Sequence, residues 1–312
     1  MDNKELIQKA DLALGDLASA GKLNDEQADR FIRKLMDTPT ILQACRTVSM
    51  NAPQRKINKL GFGTRMLRPA VASTALSQSD RYKADLSQIL LNTAEVIAEI
   101  NLPYDVLEDN IESSKNTDSP LQTGPGGLHQ TLVDMMAERA AVDLEELGLL
   151  GDTGSGDPYL ALQNGWLKLA TSNIVNAGGA TISKDVLKSG VKAMPDKYLR
   201  NRAQMMQFMS VDNETELRDT YANRQTALGD AMLQGNTDLY MHGSKVRGAS
   251  RMPSTDMLFT DPLNLIFGIW RNIQIEYDKD IRARTFVIVL TARVGFQIEE
   301  SEAVVRYNNI VG

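Results

Sequence analysis

Leu128, Leu132, Met136, Ala140, Leu144 and Leu147 follow one another at intervals of three and four, so they form one apolar stripe along a helix. Asp134, Glu138, Arg139, Asp143, Glu145 and Glu146 fill the rest of its surface. Nothing from Leu128 to Leu147 breaks a helix, and Gly148 is the first stop signal. At 1.5 Å per residue such a helix is roughly 30 Å long. A different period rules the C-terminal segment. Arg271, Ile273, Ile275 and Tyr277 alternate with Asn272, Gln274 and Glu276. After a connection over residues 278–284, Phe286, Ile288, Leu290, Ala292, Val294, Phe296 and Ile298 keep a period of two, with Thr285, Thr291, Arg293, Gln297 and Glu299 opposite. This pattern predicts a long antiparallel hairpin with one buried face. The helix 128–147 offers the apolar stripe that would cover it.

Shorter elements fill the remaining chain. Leu6, Ile7, Ala10, Leu14 and Leu17 mark an acidic amphipathic helix that ends at Gly21. Asn24 and Gln27 have the spacing of a capping box for a second helix through Met36. Pro39-Thr40 opens a helical turn through Cys45. Residues 160–175 read as mixed or strand-rich. Residues 181–194 predict a helix with Ile182, Val186, Leu187 and Val191 on one face, capped by Thr181 or Ser183 and stopped by Pro195. Residues 203–211, with their methionines around Phe208, predict a short buried strand. A helix over 214–233 and a polar loop over 235–253 follow, so this part reads as a compact α/β subdomain.

Charge divides the chain where hydropathy does not. From Arg46 to Lys83 eight basic residues (Arg46, Arg55, Lys56, Lys59, Arg65, Arg68, Arg81, Lys83) face only Asp80. From Asp85 to Asp118 eight acids (Asp85, Glu95, Glu99, Asp105, Glu108, Asp109, Glu112, Asp118) face only Lys115. The basic segment alternates in pieces, breaks at Gly61-Phe62-Gly63, and is too polar for a core of its own, so it reads as a long irregular β-hairpin. Charge complementarity favours an arm that lies on an acidic surface of another subunit. A phosphate-binding arm is the alternative, but only Phe62 and Tyr82 could stack on bases, and the acidic neighbour repels phosphate.

The composition excludes several function classes. A net charge of −6 argues against a general nucleic-acid binder. The lone Cys45 precludes an internal disulfide and suits a reducing compartment. No apolar run approaches the length of a membrane span, so a soluble protein made in the cytosol is expected. His129 and His242 lie in unrelated segments and build no zinc site, and Gly178-Gly179 reads as a turn. Asp152-Thr153-Gly154-Ser155 matches the catalytic loop of aspartic proteases. That chemistry needs the triplet after a strand and two carboxylates sharing a proton. Here it follows a helix and occurs once, so it reads as the polar turn that reverses the chain. Ser155 has no nearby histidine to activate it. No enzyme activity, cofactor or metal is expected.

The order of these elements carries a resemblance. Leu107-Glu108-Asp109-Asn110-Ile111 precedes the long helix and Leu150-Gly151-Asp152 follows it. Arg224-Gln225-Thr226-Ala227-Leu228-Gly229-Asp230 and Gln234-Gly235 lie in the α/β part. Thr260-Asp261-Pro262-Leu263-Asn264, residues 271–276 and residues 293–299 close the series. In this order and spacing the chain resembles the major capsid proteins of tailed bacteriophages, which have the α+β Hong Kong 97 fold.

The resemblance implies an N-terminal helical arm over 1–45 and an extended loop over 46–84. It further implies a peripheral domain over 85–175 with a spine helix at 128–147, an axial domain over 176–258, and a peripheral C-terminal hairpin over 259–312. The extended loop would reach a neighbouring subunit through Arg55, Lys56, Lys59, Arg65 and Arg68. Glu108 and Asp109 are candidates for the acidic partner surface, chosen by charge. Leu128, Leu132, Met136 and Leu144 would form the core face of the spine. The implied function is an icosahedral shell, built through pentamers and hexamers in the host cytoplasm, that encloses double-stranded DNA without reading its sequence. A separate scaffolding protein and a portal are expected partners, and a decoration protein is a further one. The family's lysine–asparagine crosslink has no matching motif here. An encapsulin-like nanocompartment is the nearest alternative, and a dimeric aspartic protease using Asp152 is the alternative from another class.

Overall fold

The computed structural model describes residues 39–61, 67, 85–103, 128–222 and 238–311. Its spine is α2 (Leu128–Leu150), preceded in the chain by a one-turn helix α1 (Ile41–Ala44). A four-stranded sheet has the order β1-β10-β11-β4, formed by Arg46–Ser49, Leu265–Asp280, Thr285–Ile298 and Ala94–Pro103. The second strand of the predicted hairpin, β11, has the predicted extent, whereas β10 runs beyond its alternation at both ends. Leu265 pairs with Ile298 at one end and Asp280 with Thr285 at the other, with register shifts on either side of Arg271. Such bulges bend and twist a long ribbon. Of the predicted inward face, Ile288, Leu290, Ala292, Val294, Phe296 and Ile298 are all buried.

The helix packs on this hairpin as the two apolar patterns demand. Leu144, Leu147 and Leu149 share a core with Ala292, Val294, Phe296 and Ile298, while Met136 meets Ile288 and Leu290 further along. Trp166, in the short helix α3 (Trp166–Leu169), sets its ring edge against Phe296 at 5.2 Å between centroids. Its indole nitrogen donates to the Gln297 carbonyl at 3.2 Å, which satisfies the one polar atom of a fully buried ring. The helix runs through Gly148 instead of stopping there. A Cβ at Gly148 would stand 2.8 Å from Phe296 Cε1, so the glycine serves close approach of helix and sheet, not termination.

The second sheet has the order β5-β12-β9-β6-β8-β7. Its strands are Asn173–Asn176, Val304–Asn308, Met257–Thr260, Met206–Met209, Ser244–Gly248 and Tyr240–Met241. Two helices cover it, α4 (Lys184–Ala193) and α5 (Val211–Ala222). Ser183 caps α4 by accepting from the Val186 N–H, and α4 ends before Pro195 as its sequence signals require. The Ser210 hydroxyl accepts from the Asn213 N–H at the start of α5, three residues earlier than the helix pattern alone places it. Leu187, Met209, Phe259, Val305 and Tyr307 form the core of this half. The stretch 160–175 resolves into a short turn at Leu160–Leu162, α3 and β5.

Candidate assembly surfaces

The arm grows out of the first sheet by a change of pairing partner. Arg46–Ser49 pairs in parallel with β10, so it is a strand of the body. After a bend at residues 50–53 the chain forms β2 (Gln54–Gly61), which pairs antiparallel with β3 (Asp85–Asn92) from Gln54↔Asn92 to Gly61↔Asp85. The return strand therefore lies past the basic segment. Charge alone could not place it there, because Leu86, Ile89, Leu90 and Leu91 supply the apolar positions that the basic segment lacks.

The root of this arm is keyed into the body. Leu91 is fully buried against Met50 and Ile266, with Ile57 and Trp270 beside it. Thr93 donates to the Pro53 carbonyl from both its N–H (3.0 Å) and its hydroxyl (2.9 Å). The Gln297 amide donates to the Leu90 carbonyl at 3.0 Å. Further out the arm becomes apolar on the surface. Leu60 and Leu86 sit directly opposite each other and are 67 % and 78 % exposed.

The expected contact residues separate into groups. Arg55 and Lys56 are exposed on β2, and the Arg55 guanidinium donates to the Ser49 carbonyl at 2.7 Å. Lys59 reaches back to its own chain, 3.1 Å from Glu300. Arg65, Arg68, Glu108 and Asp109 lie outside the described residues, as do the side chains of Leu128 and Leu132. Met136 and Leu144 are buried in the spine face.

One residue assigned to the polar face of the helix is not there. Glu145 is fully buried, and its Oε2 accepts from the N–H groups of Ile41 (2.8 Å) and Leu42 (3.1 Å). The segment leading into β1 folds over this side of α2, and the carboxylate satisfies donors that the first turn of α1 leaves open. No periodicity argument reveals this, because a covered carboxylate and a solvated one look alike in sequence.

Asp152 has the opposite environment from a protease dyad. Its Oδ2 is 2.8 Å from Lys168 Nζ, and its Oδ1 accepts from the Gly154 N–H at 2.9 Å. The Lys168 hydrogen bond and then the Gly154 N–H hold the carboxyl below the usual range, so it is ionised and shares no proton. Asn164 Oδ1 accepts from both the N–H and the hydroxyl of Thr153, closing the loop as a structural turn.

Similarity to known proteins follows this architecture. The chain matches the phage capsid family over residues 22–309. It belongs to that family. A relative from Bacillus subtilis (strain 168), the putative prophage capsid protein YqbE, is 43 % identical over 98 % of both chains. Among solved structures, the capsid of a native GTA particle computed with C5 symmetry superposes with a TM-score of 0.66 at 16 % identity, over 96 % of this chain and 100 % of the other. A satellite phage P4 procapsid including size determination (Sid) protein gives 0.62 at 12 % identity, over 100 % and 98 % of the two chains. At such identities the likeness establishes the Hong Kong 97-type fold. As a phage capsid family member the chain is a major capsid protein of a tailed phage, a structural component of the virion and not an enzyme. Self-association is its function. Among the described residues no helix is long and apolar enough to cross a membrane.

Proposed function

We propose that this capsid protein assembles through pentamers and hexamers into an icosahedral shell around double-stranded DNA, with the β2–β3 arm as its principal intersubunit element. The observation that carries the arm's role is the Leu60–Leu86 pair, two large apolar side chains opposed on an exposed ribbon. Such a pair gains by burial against a second copy, at about 25 cal/mol for each Å² of apolar surface covered. Arg55 and Lys56 flank the buried root and would set register against an acidic surface, as Arg65 and Arg68 would further out. Glu108 and Asp109 are the acidic candidates on the receiving side. In this reading the four-stranded sheet with α2 is the peripheral domain. The six-stranded sheet with α4 and α5 is the axial domain, which meets its copies at the centre of each capsomer. A scaffolding protein, a portal and a decoration protein are the partners implied by the family resemblance.

Electron microscopy of the overexpressed chain, alone and with a co-expressed scaffold, tests this reading. Shells, tubes, or rings of five or six subunits are the expected outcome. Uniform small dimers under both conditions would overturn it. Leu60→Asp together with Leu86→Asp should leave a folded subunit that no longer closes shells. Normal shells from that variant would remove the arm from the interface.

A further inference from the structure

The corner between the two sheets carries a feature that the shell function does not by itself require. β11 ends at Ile298 and β12 begins at Val304, so the turn around Ser301–Ala303 joins the four-stranded sheet to the six-stranded one. Three carboxylates lie on this short connection, and each pairs with a cation from a different part of the molecule. Glu299 is 2.8 Å from Arg46, at the start of β1. Glu300 is 3.1 Å from Lys59, on the arm. Glu302 is 2.6 Å from Lys197, which precedes the turn Leu199–Gln204 in the six-stranded half, and also accepts from the Tyr198 hydroxyl at 3.4 Å.

The backbone of this corner is tied down independently of the charges. Asn264 Oδ1 accepts from the Glu300 N–H at 2.7 Å, and the Asn264 amide nitrogen donates to the Glu300 carbonyl at 3.0 Å. The carboxylates therefore project from a fixed frame, while Lys59 stands on the arm and Lys197 on the segment before the 199–204 turn. Beside the pairs runs an open groove of about 870 Å³, with Asn58, Lys59 and Leu60 of the arm on one wall and Tyr198, Arg200 and Leu263 on the other. The groove leaves open space beside the Lys59 end of the arm.

We propose that the 299–302 corner is an electrostatic clamp that sets the position of the arm and of the 197–204 segment against the body, with the Glu299–Arg46 pair holding the corner to β1. Each pair is part-exposed, so each contributes weakly and exchanges readily. Weak pairs suit a joint that must hold one posture in the free subunit and yield another when a neighbour competes. Because the carboxylates share a rigid turn, releasing one partner leaves the other two in place. The clamp is a property of the single subunit and does not depend on how subunits assemble, so it can fail while the shell reading stands.

Hydrogen–deuterium exchange on the full-length unassembled chain tests it. Glu300→Gln should speed exchange of the arm strands 54–61 and 85–92 by about three-fold, the scale of one exposed ion pair, with α2 unchanged. The swap Lys59→Glu with Glu300→Lys should restore wild-type exchange. Glu302→Gln should loosen 197–204 and leave the arm untouched. In 1 M salt, where screening acts over about 3 Å, wild type and variants should converge. Arm exchange equal to wild type in Glu300→Gln, or a swap as loose as the single variants, would overturn the clamp. If Glu300→Gln loosens α2 as well, Lys59→Gln decides. An increase confined to the arm supports the proposal, and a uniform increase refutes it.

Discussion

Glu145 shows how far one residue's environment can depart from its pattern. Its carboxylate replaces solvent for two backbone donors 103 and 104 residues away in sequence, and it is fully buried. Removing a charged acceptor from buried donors costs about 1.5–3 kcal/mol. Glu145→Ala should therefore lower the unfolding free energy by that order in denaturant titration, while Glu145→Gln, which keeps an acceptor, should lose less. Cys45 lies next to this anchor, and its thiol donates to the Leu42 carbonyl at 3.2 Å. Burial pushes the thiol up to about 12, opposed by a backbone hydrogen bond. The native chain should thus resist iodoacetamide near pH 8 and react only in denaturant, because the thiolate is the reactive form. Fast native labelling would show that the 39–45 segment opens. Gly190 is a third such case. A Cβ there would collide with the Tyr307 hydroxyl, which donates to the Leu187 carbonyl. Gly190→Ala should cost about 1–3 kcal/mol by overpacking, readable as a lower denaturation midpoint.

At the scale of elements, α2 and the β10–β11 hairpin were legible because each has an unbroken period, and period reports local geometry. The inward face of β11 matched its burial residue by residue from Ile288 to Ile298. The arm was legible only in part. Its first strand carried alternation and charge, whereas its return strand looked like the start of an acidic region. The apolar key of the arm root is Leu91, set beside the Thr93–Pro53 and Gln297–Leu90 hydrogen bonds. Leu91→Ala should cost about 2–5 kcal/mol, since the side chain is fully buried at the arm root. Proteolysis of that variant should cut within the arm before it cuts α2. Simultaneous cutting at both would mean that Leu91 supports the whole body instead of the arm alone.

At the scale of the molecule, the two halves share a core in which Phe208, Leu258 and Val304 join Leu147, Trp166 and Phe296, and the chain passes between them at the 299–302 corner. Lys197 holds the Glu302 carboxyl below its ordinary value, first through its hydrogen bond and then through its charge. A depressed carboxylate stabilises the fold above its unfolded value, near pH 4.3, and that stabilisation is lost as pH falls through the lower folded value. Wild type should therefore melt above Glu302→Gln at neutral pH, and the gap should close as the pH drops below about 4. A gap that stays constant with pH would assign the difference to packing instead of charge.

The long helix, the terminal hairpin, the charge reversal after Lys83 and, through the order of these elements, the capsid fold could all be read from the chain of residues alone. Each depends on residues close together in the chain, where 3.6- and 2-residue periods are imposed by backbone geometry alone. Folding in three dimensions was needed to show that Arg46–Ser49 joins the body sheet beside β10, that Glu145 is covered, and that Lys59 pairs with Glu300 of its own chain. These facts depend on which distant element lies on top of which. A strand's hydrogen bonds carry no address, and an acidic side chain carries no mark of what will cover it.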